Sequence, residues 1–286
     1  MNTVHYGSTT EHHKDPERTQ ALRRAATASF IGNFIEWFDY ASYGYLAGVI
    51  GSVFFPESDR YAQLLYSFLV FAMSFILRPI GAVVWGLLGD RLGRRWALSW
   101  SILIMSGSTC FIGFLPPYAQ IGMWSAIGLL ILRMIQGFSA SGEYAGAGTF
   151  LAEYAPPARR GIYTCLVPAS TACGLLAGAL MVSGMLFVLG GEESNAMNQW
   201  GWRIPFLLAG PLGLIGRYIR VHLEDSPAYQ AMRAEMPQDP RATSWIEPLI
   251  LLFRYHWRET LITFGVSCLN AVAFYMLLSY MPTYVK

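Results

Sequence analysis

The amino-acid sequence predicts an all-α membrane protein, and three observations carry that reading. Hydrophobic residues make up 54% of the 286 positions and charged residues only 13%, whereas ordinary soluble domains carry about 25% charge. Apolar segments of roughly 20 residues, the length needed to cross a hydrocarbon core, recur along the whole chain. Basic residues are concentrated in every second connection between those segments.

Seven spans are expected from the apolar runs, at about 25–55, 61–88, 96–115, 120–150, 162–190, 202–221 and 259–285. The matching organisation is a cytoplasmic tail over 1–24, a six-helix bundle over 25–221, a central cytoplasmic loop over 222–258 and a seventh helix over 259–286. The tail is polar and lacks an apolar core with a small-residue cleavage site, so no removable signal peptide is expected. Lys14, Arg18, Arg23 and Arg24 precede the first span. Arg91, Arg94 and Arg95 follow the second, and Arg159 and Arg160 follow the fourth. Arg217, Arg220, Arg233, Arg241, Arg254 and Arg258 surround the connection after the sixth. The opposite loops offer Arg60, with Lys286 at the last position. This asymmetry places the amino terminus in the cytoplasm. Cys110, Cys165, Cys173 and Cys268 lie in expected helices without CxxC spacing and read as small packing residues. Glu11, His12 and His13 read as part of a solvated tail, and no metal site is expected.

The first span holds an anomaly. The stretch "GNFIEWFDYASYGY" (Gly32–Tyr45) puts Asn33, Glu36 and Asp39 into a membrane helix, where a charge costs at least a few kcal/mol. At about 100° per residue, Ser29, Asn33, Glu36, Asp39, Tyr40 and Tyr43 share roughly a third of the circumference. Phe30, Ile31, Phe34, Phe38 and Ala41 take the other side. Such a stripe faces a bundle interior or a watery cavity rather than lipid. Two readings stand for each acid: a structural pair with an arginine, or a group that works on protons or solute.

The second span contains Arg78 followed by Pro79, which kinks the helix or frees a carbonyl. Arg78 reads equally as a packing, gating or ligand-binding residue. The span leads into "GLLGDRLGRRWAL" (Gly86–Leu98). Gly89 and Gly93 permit a tight turn there, and Arg91, Arg94 and Arg95 sit at headgroup level. Asp90 ends a helix, where the dipole disfavours a carboxylate, so it needs an arginine or the start of another helix. A contact of that kind can form in one conformation and break in another, which makes a latch of Gly86, Gly89, Asp90, Arg91, Gly93, Arg94 and Arg95. In the fourth span, Arg133, Gln136, Glu143 and Tyr144 fall within about 100° and supply counter-charge. Gly137, Gly142, Gly146, Ser141 and Ala145 let a neighbouring helix approach closely. Arg203, opening the sixth span, reads as structural.

A carboxylate's proton affinity depends on its burial and on nearby arginines. A motion that changes either one ties proton uptake and release to access, and Glu36 and Glu143 are the candidates. Trp37, Tyr40 and Tyr43 offer aromatic faces to a quaternary ammonium, and arginine suits a carboxylate. A zwitterion such as proline or betaine satisfies both halves. A 2-oxoglutarate- or citrate-like anion would instead use Arg78 and Arg133 together.

The Gly86–Leu98 stretch resembles the Gly-x-Leu-Gly/Ala-Asp-Arg/Lys-x-Gly-Arg-Arg/Lys signature of the major facilitator superfamily. "GNFIEWFDY", "RPIG" (Arg78–Gly81), "RMIQGFSASGEYAG" (Arg133–Gly146), "WGWRIPF" (Trp200–Phe206) and "LEDSPAY" (Leu223–Tyr229) are similar to its metabolite:proton symporters. "YMLLSYMPTY" (Tyr275–Tyr284) looks most like the proline/betaine branch. The glycine-rich fifth-span motif of drug:proton antiporters is absent, leaving one Gly174-x-x-x-Gly178. The resemblance implies secondary active transport: proton-coupled symport of a small organic solute, driven by the proton gradient and needing no cofactor. It implies the lipid bilayer, the solute and protons as partners, and no nucleic acid. Such carriers have twelve helices in two halves. The expectation is therefore a truncated six-plus-one bundle, a fragment that does not itself transport, with a second polypeptide carrying the remaining helices or self-association as alternatives. No nucleophile constellation or metal-ligand cluster argues for an enzyme.

Overall fold

The computed structural model describes residues 16–56, 58–222, 229–230, 234 and 247–275. Glu11–His13, Lys14, Arg233, Arg241 and Lys286, most of "LEDSPAY" and nearly all of "YMLLSYMPTY" lie outside them. The chain divides into two units, 1–234 and 235–286.

In the first unit, α1 (Pro16–Tyr45) and α2 (Ala47–Phe54) make up the first span, interrupted at Leu46. At 1.5 Å per residue, α1 alone is about 45 Å long. It starts earlier than the sequence reading placed it, because Leu22, Ala25, Ala26 and Ala28 are buried and extend the core-facing stripe backwards. The second span is α3 (Arg60–Ile76) followed by α4 (Arg78–Leu92). Asp59 caps α3 by accepting from the Tyr61 and Ala62 amides at 2.9 Å, and Pro79 sits at the start of α4, where its missing N–H costs nothing. The bundle continues with α5 (Arg94–Phe114), a single turn α6 (Tyr118–Ile121), α7 (Met123–Tyr154), α8 (Arg160–Thr164) and α9 (Leu166–Leu189). A π-helical turn, Met197–Gly201, leads into α10 (Arg203–Val221). The second unit contains α11 (Glu247–Tyr255) and α12 (Trp257–Tyr275), so part of the expected central loop is helical.

Five stretches of the described residues are long and apolar enough to span a membrane: Arg60–Leu92, Arg94–Phe114, Met123–Tyr154, Pro157–Leu189 and Met197–Val221. The charge-bearing α1 falls outside this apolar set, yet it packs against α7, α9 and α10. It belongs in the bundle because its polar side chains face protein. The contact with α9 is close: a Cβ at Gly174 would lie 2.6 Å from the Phe34 carbonyl, and one at Gly178 2.7 Å from that of Phe38. Apolar clusters occupy both ends of the core. Tyr43, Leu46, Ile50, Phe54, Trp202 and Phe206 belong to one, and Leu22, Ala25, Phe150, Leu151 and Tyr154 to the other. Asn33, Glu36, Asp39, Arg133, Gln136 and Glu143, all buried, form a polar belt between them.

The α3–α7 approach depends on Gly137, where any side chain would overlap the Ser74 backbone carbonyl. Gly86, by contrast, has open space beside it. Gly137→Ala is expected to destabilise the bundle by about 1–3 kcal/mol through overpacking. Gly86→Ala is expected to be neutral or to stabilise by up to about 1 kcal/mol through helix propensity. Unfolding in mixed detergent micelles measures both.

Candidate functional site

Three ion pairs, each joining two helices, lie in the polar belt, two of them fully buried and one partly. In the first, the Arg133 Nη1 donates to Asp39 Oδ2 at 2.7 Å and to Gln136 Oε1 at 2.6 Å. Gln136 Nε2 donates in turn to the same Asp39 oxygen at 2.6 Å and to Thr109 Oγ1 on α5 at 2.8 Å. The guanidinium stacks 3.9 Å above the Tyr43 ring, and the Tyr43 hydroxyl donates to the Ser67 carbonyl on α3 at 2.8 Å. Arg133 is 0% exposed and Asp39 2%. Asp39 Oδ1 and two of the Arg133 nitrogens find no hydrogen-bond partner among the described residues.

The second pair joins α1 to the start of α4, with Arg78 Nη2 donating to Glu36 Oε1 at 2.6 Å. Rings surround it: the guanidinium carbon lies 5.2 Å from the Tyr40 centroid and 4.7 Å from that of Phe75. Trp37 and Phe71 meet Tyr40 edge-on. The third pair joins α7 to α10. Arg220 grips both oxygens of Glu143, with Nη1 at 2.8 Å from Oε2 and Nη2 on Oε1. The same guanidinium donates to the carbonyls of Leu98 at 2.6 Å and Ala28 at 3.2 Å, and Ser101 Oγ donates to Glu143 Oε2. Arg220 therefore fastens α1, α5, α7 and α10 at one level. Gly32 makes room for it, since a Cβ there would overlap the pair.

The stripe read from the sequence thus divides among several neighbours. Asn33 faces α9, donating to the Val167 carbonyl at 2.9 Å and to Ser170 Oγ at 2.8 Å. Glu36 and Tyr40 meet α3 and α4, whereas Asp39 and Tyr43 meet Arg133 and Gln136 on α7. Glu143 is separate from these and has its own arginine. Tyr144 is half-exposed rather than part of the buried arc. Each of Arg78 and Arg133 is paired with a carboxylate of its own in this structure. Arg203 holds the end of α5 through the Gly113 and Leu115 carbonyls.

Arg220 is a correction to the sequence reading, which left it among the loop arginines. It is 2% exposed because α10 continues its buried face through Phe206, Ala209, Gly213, Gly216 and Arg220. That spacing of three and four residues was the available signal. At the basic turn, Gly93 takes a φ of 104°, which favours glycine. Asp90 pairs with Arg94 across it at 2.9 Å. Glu153 of α7, unmarked by any motif, lies 3.9 Å from the same arginine. Tyr229 donates to the Arg91 carbonyl at 2.9 Å, so the end of "LEDSPAY" reaches the turn. Gly86 and Gly89 lie on α4 before the turn, and Arg95 lies on α5 just after it.

Removing one member of a buried pair strands the other, at a cost of about 3–5 kcal/mol. Glu143→Ala and Arg220→Ala are each expected to destabilise by that amount. Glu143→Met combined with Arg220→Leu is expected to recover most of it, since both charges leave together. Detergent-unfolding midpoints of the three variants measure the difference.

Residues 25–250 match the sugar (and other) transporter family. Over 268 residues the chain is 42% identical to the proline/betaine transporter of Salmonella typhimurium, covering 93% of this chain and 53% of that protein. The glycine betaine/proline/ectoine/pipecolic acid transporter OusA of Dickeya dadantii is likewise 42% identical, with the same coverage. The chain thus spans about half the length of the curated relatives it matches. Its fold is similar to that of the major facilitator superfamily proton:xylose symporter XylE, with a TM-score of 0.65 at 18% identity, over 76% of this chain and 48% of XylE. The inward-open form of XylE from E. coli superposes over 91% of this chain and 58% of its own, with a TM-score of 0.61. With its buried ion pairs, its basic turn and these relatives, the chain belongs to the sugar (and other) transporter family of the major facilitator superfamily.

Proposed function

We propose that the chain provides the first six-helix bundle of a secondary active transporter, not an enzyme, that couples proton entry to uptake of a small zwitterionic osmoprotectant such as proline or betaine. The Asp39–Arg133 pair carries this reading: an ionisable pair wholly inside the bundle, in a chain whose relatives are named as proline and betaine transporters. The proton goes to Asp39 Oδ1, the oxygen that no donor engages. Protonation removes the negative charge, and Arg133 then keeps only neutral partners: Asp39 Oδ2, Gln136 Oε1 and the Tyr43 and Phe206 rings. An isolated cation at this depth is costly, so the bundle responds by bringing Arg133 to a new partner. Loss of the proton restores the pair. This links the proton to the relative positions of α1 and α7.

Glu143 has a different task in this reading. Both its oxygens are engaged by Arg220, which suits it to holding four helices together rather than to exchanging protons. The end of the bundle bearing Arg91, Arg94, Arg95, Arg159 and Arg160 faces the cytoplasm of a bacterial plasma membrane, by the positive-inside rule. There the Asp90–Arg94 contact acts as a latch.

One proton crossing about 100 mV supplies about 2.3 kcal/mol, enough for an accumulation ratio of about 50. Proteoliposomes holding the chain, with an imposed interior potential of about −100 mV and no pH difference, are expected to concentrate glycine betaine or proline toward that ratio. Asp39→Asn is expected to abolish the accumulation while retaining equilibrative entry. Uptake of neither solute, or accumulation that survives Asp39→Asn, contradicts the reading.

A further inference from the structure

The Glu36–Arg78 pair differs from the other two pairs in its access, and it shares unspent polar atoms with the Asp39–Arg133 pair alone. The Arg78 side chain is 26% exposed, against 0% for Arg133 and 3% for Arg220. Glu36 and Tyr40 are buried, yet Glu36 Oε2, the Tyr40 hydroxyl and Arg78 Nε find no hydrogen-bond partner among the described residues. Buried polar groups are ordinarily satisfied, and here, unlike at Asp39–Arg133, three unengaged atoms lie beside an arginine that is partly open, which suits a site for something that comes and goes. The faces of Tyr40 and Phe75, with Trp37 and Phe71 around them, give that site apolar, electron-rich walls.

We propose that Glu36, Arg78 and Tyr40, lined by Phe75, form the seat of the zwitterion, an inference that rests on the symport reading above. The solute carboxylate pairs with the Arg78 guanidinium. Its ammonium lies toward Glu36 Oε2 and the ring faces. The internal ion pair opens to admit a solute that carries both countercharges, so two pairs replace one. The net charge of the desolvated site is unchanged. An isolated cation or anion would add an uncompensated charge to the same site, which is expensive in low dielectric. Charge balance therefore selects zwitterions over their half-molecules. The two kinds of wall also explain how one site accepts different ammonium groups. The N–H bonds of proline can donate to Glu36 Oε2 and Tyr40 Oη, whereas a trimethylammonium has no N–H to donate and uses the aromatic faces. Glu36 and Asp39 lie three residues apart on α1, so solute and proton act on the same helix through different arginines.

Calorimetric titration of the full chain in lipid nanodiscs tests the assignment, with glycine betaine and proline as zwitterions and tetramethylammonium and acetate as half-ligands. Both zwitterions are expected to bind at least about tenfold more tightly than either half-ligand. Glu36→Gln and Arg78→Gln are each expected to weaken zwitterion binding by about tenfold or more. Tyr40→Phe, which keeps the ring and the packing, is expected to weaken proline more than betaine, and Tyr40→Leu to weaken both. Wild-type binding that survives Glu36→Gln and Arg78→Gln, or half-ligands that bind as tightly as zwitterions, overturns the seat and leaves symport standing. Binding of neither zwitterion by the wild-type chain overturns the symport reading, and the seat with it.

Discussion

Everything in the bundle depends on pairing charge in a place that cannot tolerate charge alone. A single ionised side chain in the hydrocarbon region costs several kcal/mol, and removing one partner of a buried pair costs a similar amount. Glu36, Asp39 and Glu143 each meet an arginine from another span: Arg78, Arg133 and Arg220 respectively. These pairs fix α1 against α4 and α7, and α7 against α10, more specifically than apolar packing alone does. A register slip of one turn in any of the four helices would strand a charge.

The three pairs share a chemistry but differ in what is left unspent. Glu143 is held at both oxygens by Arg220 and at one by Ser101. Asp39 is as deeply buried, but one of its oxygens is unengaged. Glu36 is buried too, while its arginine is partly open and surrounded by rings. Fastening, proton exchange and solute binding are proposed to fall to different pairs on these physical differences. Because α1 carries two of the three carboxylates, any movement that relieves one pair changes the geometry of the other. In the proposed reading, coupling then needs no long pathway, only the rigidity of one helical turn.

Much of this was legible in the sequence, for identifiable reasons. The α1 stripe stood out because helical periodicity separates Asn33, Glu36, Asp39 and Tyr43 from Phe30, Phe34 and Phe38. The turn at Gly93 stood out because a glycine, an acid and three arginines keep a specific spacing. The choice of partner was not legible, since periodicity places a residue on a face without saying which helix it meets. Asn33 lies on the same stripe as the acids, yet it bonds to α9. Arg220 was read as a loop residue because basic residues at a span end usually reach headgroups, and only the small-residue spacing behind it points inward. The early start of α1 was missed because the alanines near residue 25 carry a weak hydrophobic signal, although they pack as tightly as larger side chains.

Asp39 is the group proposed to take the proton. Infrared difference spectra of the chain in lipid, recorded across a pH step, read this directly through the C=O stretch of a protonated carboxyl. The band is expected in the wild type, absent in Asp39→Asn and retained in Glu143→Gln. A band that persists in Asp39→Asn and disappears in Glu143→Gln would contradict the assignment and move the proton to the helix-fastening pair.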